Sequence, residues 1–407
     1  MTETVFDRVR ANTVIRDLTT NSNDNVAARM VWSSIVEPGD RIAGELIDVY
    51  GPADALTFVE TRTESATDIE RARATLADCG HTSSEDDLHD ALARWSARLE
   101  AGNIVGQLEA AARIGAQVVT PGDSAWPVGL SELGNHAPHA LWLRGNPTTL
   151  ERTSRAVAIV GARASTGYGE HVTMELVSGL VRKDCAIVSG AAYGIDGMAH
   201  RAALAEEGDT IAVLAGGIDR LYPSGHDALL QRIIASGAVV TEMPPGFSPT
   251  KWRFLQRNRL IAAMCRATVV VEAGWRSGSL NTAHHAIQLG RPLGVVPGPV
   301  TSASSAGCHR LLREEPCTCV TTADEVAELV DGIDSSSDIA VSDVSALEQR
   351  ALDALSARPR TLDDLVVASG MSRADVQSAL GTLGVRGLVE EVSAGWRHPR
   401  ASRPPGN

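Results

Sequence analysis

Between residues 155 and 298 the apolar positions fall in short, unbroken runs: RAVAIVG (155–161), CAIVSG (185–190), TIAVLAGG (210–217), AVVTE (238–242), ATVVVEA (267–273) and PLGVVPG (292–298). A strand with one wet face alternates apolar and polar residues; these runs do not, so both faces of each strand must be covered. Helical stretches lie between several of them, and strands alternating with helices build a parallel sheet clad on both sides. The pattern predicts an α/β fold, an extended Rossmann-like parallel-sheet domain over 116–330. Residues 26–115 follow a helical period instead. DDLHDALARWSARLEAG sets Leu88, Leu92, Trp95 and Leu99 on one face, and ELIDVYGPADAL is punctuated at Gly51-Pro52. This span predicts a small helical domain of SAM or helix-hairpin-helix size, preceded by a flexible tail over 1–25 that ends in the polar TTNSNDN.

The C-terminal pattern changes again. DGIDSSSDIAVSDV, 331–344, is acidic and serine-rich without an apolar stripe, and reads as a linker. From 345 to 400, ALEQRALDALSA, TLDDLVVASG and SRADVQSALGTLGVRG read as three helices and LVEEVSAGWRHP as a hairpin, the order of a winged helix; 401–407 is a tail. That domain carries seven acidic and seven basic residues. Its third helix offers Arg373 and Arg386, which leaves DNA contact and protein contact equally open.

Charge sharpens the picture because it is uneven. The chain of 407 residues has a net charge of −13, yet residues 155–320 carry 16 Arg and Lys against 13 Asp and Glu. Any polyanion would bind there. Within that block KWRFLQRNR, 251–259, holds four cations and two aromatic rings. Placed on a helix after Pro249, Lys251, Phe254 and Asn258 share a face. Cations suit phosphates and a flat ring suits an unpaired base, so the stretch fits a single nucleic-acid strand. The six cysteines lack zinc-site spacing and read as reduced, mostly buried thiols, with no metal expected. No run of 18 apolar residues and no signal-peptide core occurs, which points to a cytoplasmic protein away from membranes.

In an open parallel sheet, ligands gather at the carboxyl ends of the strands. There the first strand runs into GARASTGYGE and the second into SGAAYGIDGMAH, two glycine-rich turns whose backbone N–H groups could hold phosphates. Neither a Walker motif nor GxGxxG is present, which disfavours nucleoside triphosphates and dinucleotide cofactors; no cofactor is expected. Glu242, Glu272, Asp196, Asp219, Ser277 and His200 are the candidate acids, bases or nucleophiles, and their spacing matches no catalytic set.

The ordered motifs GARASTGYG, SGAAYGID, LAGGIDRLYP, TEMPPG, FLQRNR, VVVEA, SGSLNTA and VPGPV, spread over roughly 115–320, resemble the DNA-processing protein A (DprA/Smf) family. The resemblance implies binding of single-stranded DNA and its loading onto the RecA recombinase during natural transformation and recombination, without catalysis. It also implies a homodimer formed through the Rossmann domain. Carried over by motif, Arg163 would clamp a phosphate, and Ser189, Gly190 and Gly194 would shape a backbone phosphate site. Lys251 would pair with phosphate, Phe254 would stack on a base, and Arg257, Asn258 and Arg259 would complete the pocket floor, some through structural hydrogen bonds. The chain departs from the family pattern at Leu255, Ser224, His226, His309 and Glu315-Pro316, the last two of these where dimer-forming helices are expected. Two alternatives stand beside this reading. One is a nucleotide-processing enzyme using Glu242 or Glu272 as acid or base; the other is a duplex-DNA regulator acting through the winged helix.

Overall fold

The computed structural model describes residues 4–332 and 345–398, apart from 63–64, 82, 357, 386–387 and 393–394. Two compact units divide the chain, Met1–Asp334 and Ser335–Asn407. In the first, eight helices among the described residues precede the sheet: α1 (Val5–Arg10), α2 (Ile15–Leu18), α3 (Asp24–Ile35), α4 (Arg41–Tyr50), α5 (Pro52–Arg62), α6 (Ala66–Asp78), α7 (Glu85–Ala101) and α8 (Ile104–Arg113). The expected loose tail is a correction. Phe6, Val9, Ile15 and Leu18 are buried, Thr4 caps α1, and the Phe6 N–H donates to Glu60 at 2.9 Å. Four apolar anchors spread through a polar segment are enough to dock it, because each buried side chain contributes roughly 1.5–3 kcal/mol.

The sheet has nine strands: β1 (Gln117–Val119), β2 (Leu141–Gly145), β3 (Ala156–Val160), β4 (Ala186–Ser189), β5 (Thr210–Val213), β6 (Ala238–Thr241), β7 (Ala267–Val270), β8 (Leu293–Val295) and β9 (Thr318–Cys319). Their order is β1-β2-β6-β5-β4-β3-β7-β8-β9. β1 and β2 are antiparallel additions at one edge, and the run from β6 to β9 is parallel, as the apolar runs predicted. Helices α9 (Gly167–Arg182), α10 (Ile195–Ala205), α11 (Asp227–Ser236), α12 (Lys251–Ala263), α13 (Ser279–Gln288), α14 (Ala306–Glu314) and α15 (Ala323–Asp331) connect the strands or follow them.

The helical N-terminal region is not a body apart from the sheet. One continuous core joins Trp32, Leu46 and Trp95 to Val118, Trp142, Leu214 and Val239. The Trp142 indole donates to Ser33 Oγ at 3.2 Å across that boundary. This arrangement carries the loop between α3 and α4 onto α12, with consequences for the site.

The second unit has its own core, with Leu365, Val376, Leu380 and Leu383 buried. Helices α16 (Ala346–Ala354), α17 (Leu362–Ser369) and α18 (Arg373–Val385) precede the hairpin of β10 (Glu390–Val392) and β11 (Gly395–Arg397). This is a winged helix. Thr361 caps α17, and Gly370, at φ 65°, ends it in the left-handed conformation that glycine adopts without cost. Arg373 is tied to Asp363 in an ion pair, while Arg386 and most of the expected linker lie outside the described residues.

Candidate nucleic-acid interface

Strand order reverses at β3: the chain passes from β3 through β4 and β5 to β6 on one side, then crosses to β7 on the other. At such a point the two connecting loops leave in opposite directions and open a crevice at the strand ends. A cleft of about 900 Å³ lies there, lined by Gly161–Ala164 after β3, by Gly274 and Arg276–Ser279 after β7, and by Lys251, Phe254, Arg257 and Asn258 of α12.

Helix α12 begins where Thr250 Oγ1 accepts from the Arg253 N–H at 3.2 Å. Its first turn faces the cleft. Lys251 is exposed, and Phe254 is half-buried with its ring 5.7 Å from that of Tyr222. The Arg163 guanidinium lies 5.2 Å from the Phe254 ring centroid and that of Arg257 lies 5.9 Å from it. Cation and ring thus sit side by side, the pairing that phosphate and base require together. Arg163, Lys251 and Arg276 are all exposed, and none has an ion-pair partner among the described residues. The start of α13, where Gly278 and Ser279 line the cleft, adds a partial positive charge.

The next turn of α12 behaves differently. Arg257 donates to the Gly190 carbonyl at 2.7 Å and to the Val213 carbonyl, fastening the helix to the ends of β4 and β5. Burial lowers its pKa to about 10, against the pull of Asp196. Asn258 Nδ2 donates to Asn281 Oδ1 at 3.1 Å and to the Gly278 carbonyl at 3.3 Å, holding the start of α13. Arg259 pairs at 2.6 Å with Glu242, just past β6, and both side chains are buried. Three consecutive residues staple α12 to four neighbouring elements.

Several sequence-predicted contacts therefore move from ligand to scaffold. Arg259 is sealed away from the cleft by its partner Glu242. Ser189 is fully buried and donates to the Ile159 carbonyl at 2.6 Å. The second glycine turn is filled by the chain itself: a Cβ on Gly190 would lie 2.5 Å from the Arg257 guanidinium, and one on Gly194 would lie 2.2 Å from the Ala162 carbonyl oxygen. These glycines allow close packing of loop on loop. Asp196 accepts from the Ala192 N–H at 3.4 Å; burial pushes its carboxyl up, opposed by Arg257 and by the backbone of Gly190 and Gly161.

The candidate acid–base groups are also engaged. Glu272 accepts from the Thr166 hydroxyl at 2.6 Å and from the Thr166 N–H at 2.9 Å, and so fixes the start of α9. His200 is buried with Nδ1 at 2.8 Å from Thr210 Oγ1, and burial with nearby His226 lowers its pKa to about 3. Among the described residues no three His, Cys, Asp or Glu side chains gather as a metal site, and no helix is long and apolar enough to cross a membrane. Of the six free cysteines only Cys185, Cys265 and Cys308 are buried, fewer than expected.

Two contributors escaped the sequence reading. Arg276 follows the carboxyl end of β7 and lines the cleft. Glu37, from the loop between α3 and α4, accepts from Arg253 at 3.0 and 2.8 Å and from Arg98 at 2.6 Å. Burial raises the Glu37 carboxyl, and the two guanidinium groups more than reverse this, leaving its pKa below the usual range. Beside it Gly39, at φ 75°, packs so closely that a Cβ would lie 2.8 Å from Gln256 Oε1. The helical region thereby grips the first turns of α12.

The family model for DNA recombination-mediator protein A matches residues 117–331, and that for the DprA winged-helix domain matches 337–395. A Mycobacterium tuberculosis protein assigned as DprA is 47% identical over 322 residues, covering 75% of this chain and 82% of its own. The chain belongs to the DprA family. The X-ray structure of Streptococcus pneumoniae DprA superposes with a TM-score of 0.58 at 29% identity, over 74% of this chain and 96% of that one. A Helicobacter pylori DprA structure, described for its single-stranded DNA binding mode, covers 53% of this chain and 97% of its own at 28% identity with a TM-score of 0.48. The DprA match spans both the parallel sheet and the winged helix, the two parts that the motif order and the helix–hairpin pattern had pointed to.

Proposed function

We propose that the cleft binds single-stranded DNA and that the protein passes the strand to a RecA-type recombinase in the cytoplasm, during recombination and DNA uptake, without transforming it chemically. The observation that carries this reading is the half-buried Phe254 ring set among Arg163, Lys251 and Arg276 at the sheet's switch point. A duplex hides its base faces, whereas a single strand offers both the π-face and the phosphate that such a surface complements. Membership in a family of DNA recombination mediators supports the same direction. The nucleotide-enzyme alternative loses support because Glu242 and Glu272 are held by Arg259 and Thr166. Assembly as a homodimer through the Rossmann domain belongs to this proposal as well.

Titration of labelled oligo-dT against matched duplex across a salt series tests it. With three free cations engaging phosphates, the logarithm of affinity should fall with the logarithm of salt at a slope of about −2 for the single strand. Equal affinity for duplex, or a slope near zero, contradicts the proposal.

A further inference from the structure

The loop between β7 and α13 carries a feature that the central cleft does not use. The Ser277 N–H donates to the Gly274 carbonyl at 3.1 Å, closing a tight turn with Trp275 and Arg276 at its tip. Arg276 lines the cleft, while Trp275 stands beside it with 54% of its surface exposed. A free tryptophan on a loop tip is ordinarily mobile, but this one is held. The Arg310 guanidinium of α14 lies 5.1 Å from the centroid of its ring. The base of the turn is clamped to α14 as well, since the Gly307 N–H donates to the Ala273 carbonyl at 2.7 Å. A Cβ on Gly307 would lie 2.6 Å from the Gly274 carbonyl oxygen, so the glycine permits this contact.

We propose that Trp275, backed by Arg310, is a second base-stacking platform at the rim of the cleft, taking a nucleobase of the same single strand as it leaves over Arg276. The inference rests on the single-stranded DNA reading of the cleft. Three observations converge on a base as occupant. The platform is continuous with the cleft through Gly274 and Arg276. The adjacent Arg276 is an unpaired cation placed for the intervening phosphate. A cation against one face of an indole leaves a flat, rigid surface on the other, and a rigid ring loses little entropy when a base stacks on it.

The test compares the full-length protein with its Trp275→Ala and Trp275→Phe variants, using oligo-dT long enough to pass the rim and oligo-dT of about four nucleotides that fills the central cleft alone. Trp275→Ala should weaken the long oligomer roughly 5- to 100-fold and leave the short one within about twofold, with the salt slope unchanged because no charge is removed. Trp275→Phe should restore most of the loss. Sedimentation velocity of the same samples reads the oligomeric state. Unchanged binding of the long oligomer, equal weakening of both lengths, or a shift in sedimentation on Trp275→Ala would overturn the platform; the last would mark Trp275 as a contact between copies of the chain. Failure of the unsubstituted protein to bind either oligomer would instead remove the parent reading.

Discussion

Helix α12 has two halves that share a composition and differ in what surrounds them. Lys251 and Phe254 open the helix on the cleft side, and Arg257, Asn258 and Arg259 follow within two turns, buried. The first half meets an open cleft. The second meets the carboxyl ends of three parallel strands, where unpaired carbonyls and Glu242 supply acceptors for every cation that arrives. Cationic side chains thus serve two purposes on one helix: displayed ones solvate an incoming polyanion, and enclosed ones replace a hydration shell that the strand ends have lost. The hydrogen bonds of the second half fix the position from which the first is displayed.

The largest effect that could break this contrast is on stability. Arg259→Ala leaves the Glu242 carboxylate buried without its partner and should cost about 3–5 kcal/mol by chemical denaturation. Replacing both, as Arg259→Met with Glu242→Leu, should recover most of that loss and retain oligo-dT binding. A doubly substituted protein that folds but no longer binds would show Arg259 to be a DNA contact. Next comes Phe254→Ala, which should weaken oligo-dT by about 1–3 kcal/mol while unfolding near the denaturant midpoint of the unsubstituted chain.

A smaller effect tests the grip from outside. Glu37→Gln should cost about 1 kcal/mol or less, since the pair is partly exposed to solvent. Its pH dependence has a definite sign. The folded pKa of Glu37 lies below the ordinary value of 4.5, so its contribution is fully present above that pH and fades as the pH falls through the folded value. The stability gap between the unsubstituted protein and the Glu37→Gln variant should therefore close in acid, and a gap that persists there would assign the effect to packing. The smallest change is in slope: Lys251→Ala should leave stability untouched and reduce the salt dependence by about 0.7.

Much of the scaffold could be read from the residues. Continuous apolar runs announced β3 to β8, because a strand covered on both faces has no polar alternative. β1 and β2 escaped notice, since QVV and LWLRG are short and sit among proline- and glycine-rich turns. The site was legible in part. The placing of Lys251 and Phe254 on one face of α12 shows in their spacing, whereas the burial of Arg259 does not, because Glu242 lies 17 positions away and meets it only when α12 packs against the sheet. Gly190 and Gly194 look identical in sequence whether they cradle a phosphate or admit a neighbouring side chain; only the occupied space distinguishes them. Arg276 carries a usable signal, a cation in the loop that follows a strand's carboxyl end.

The most direct measurement is fluorescence anisotropy of labelled oligo-dT, over a salt series, with Phe254→Ala and the Arg259→Met, Glu242→Leu protein beside the unsubstituted chain. The displayed half being the binding surface predicts tight, salt-dependent binding that Phe254→Ala weakens and the double substitution preserves. Binding indifferent to Phe254 and abolished by the double substitution would contradict it and reverse the roles assigned to the two halves of α12.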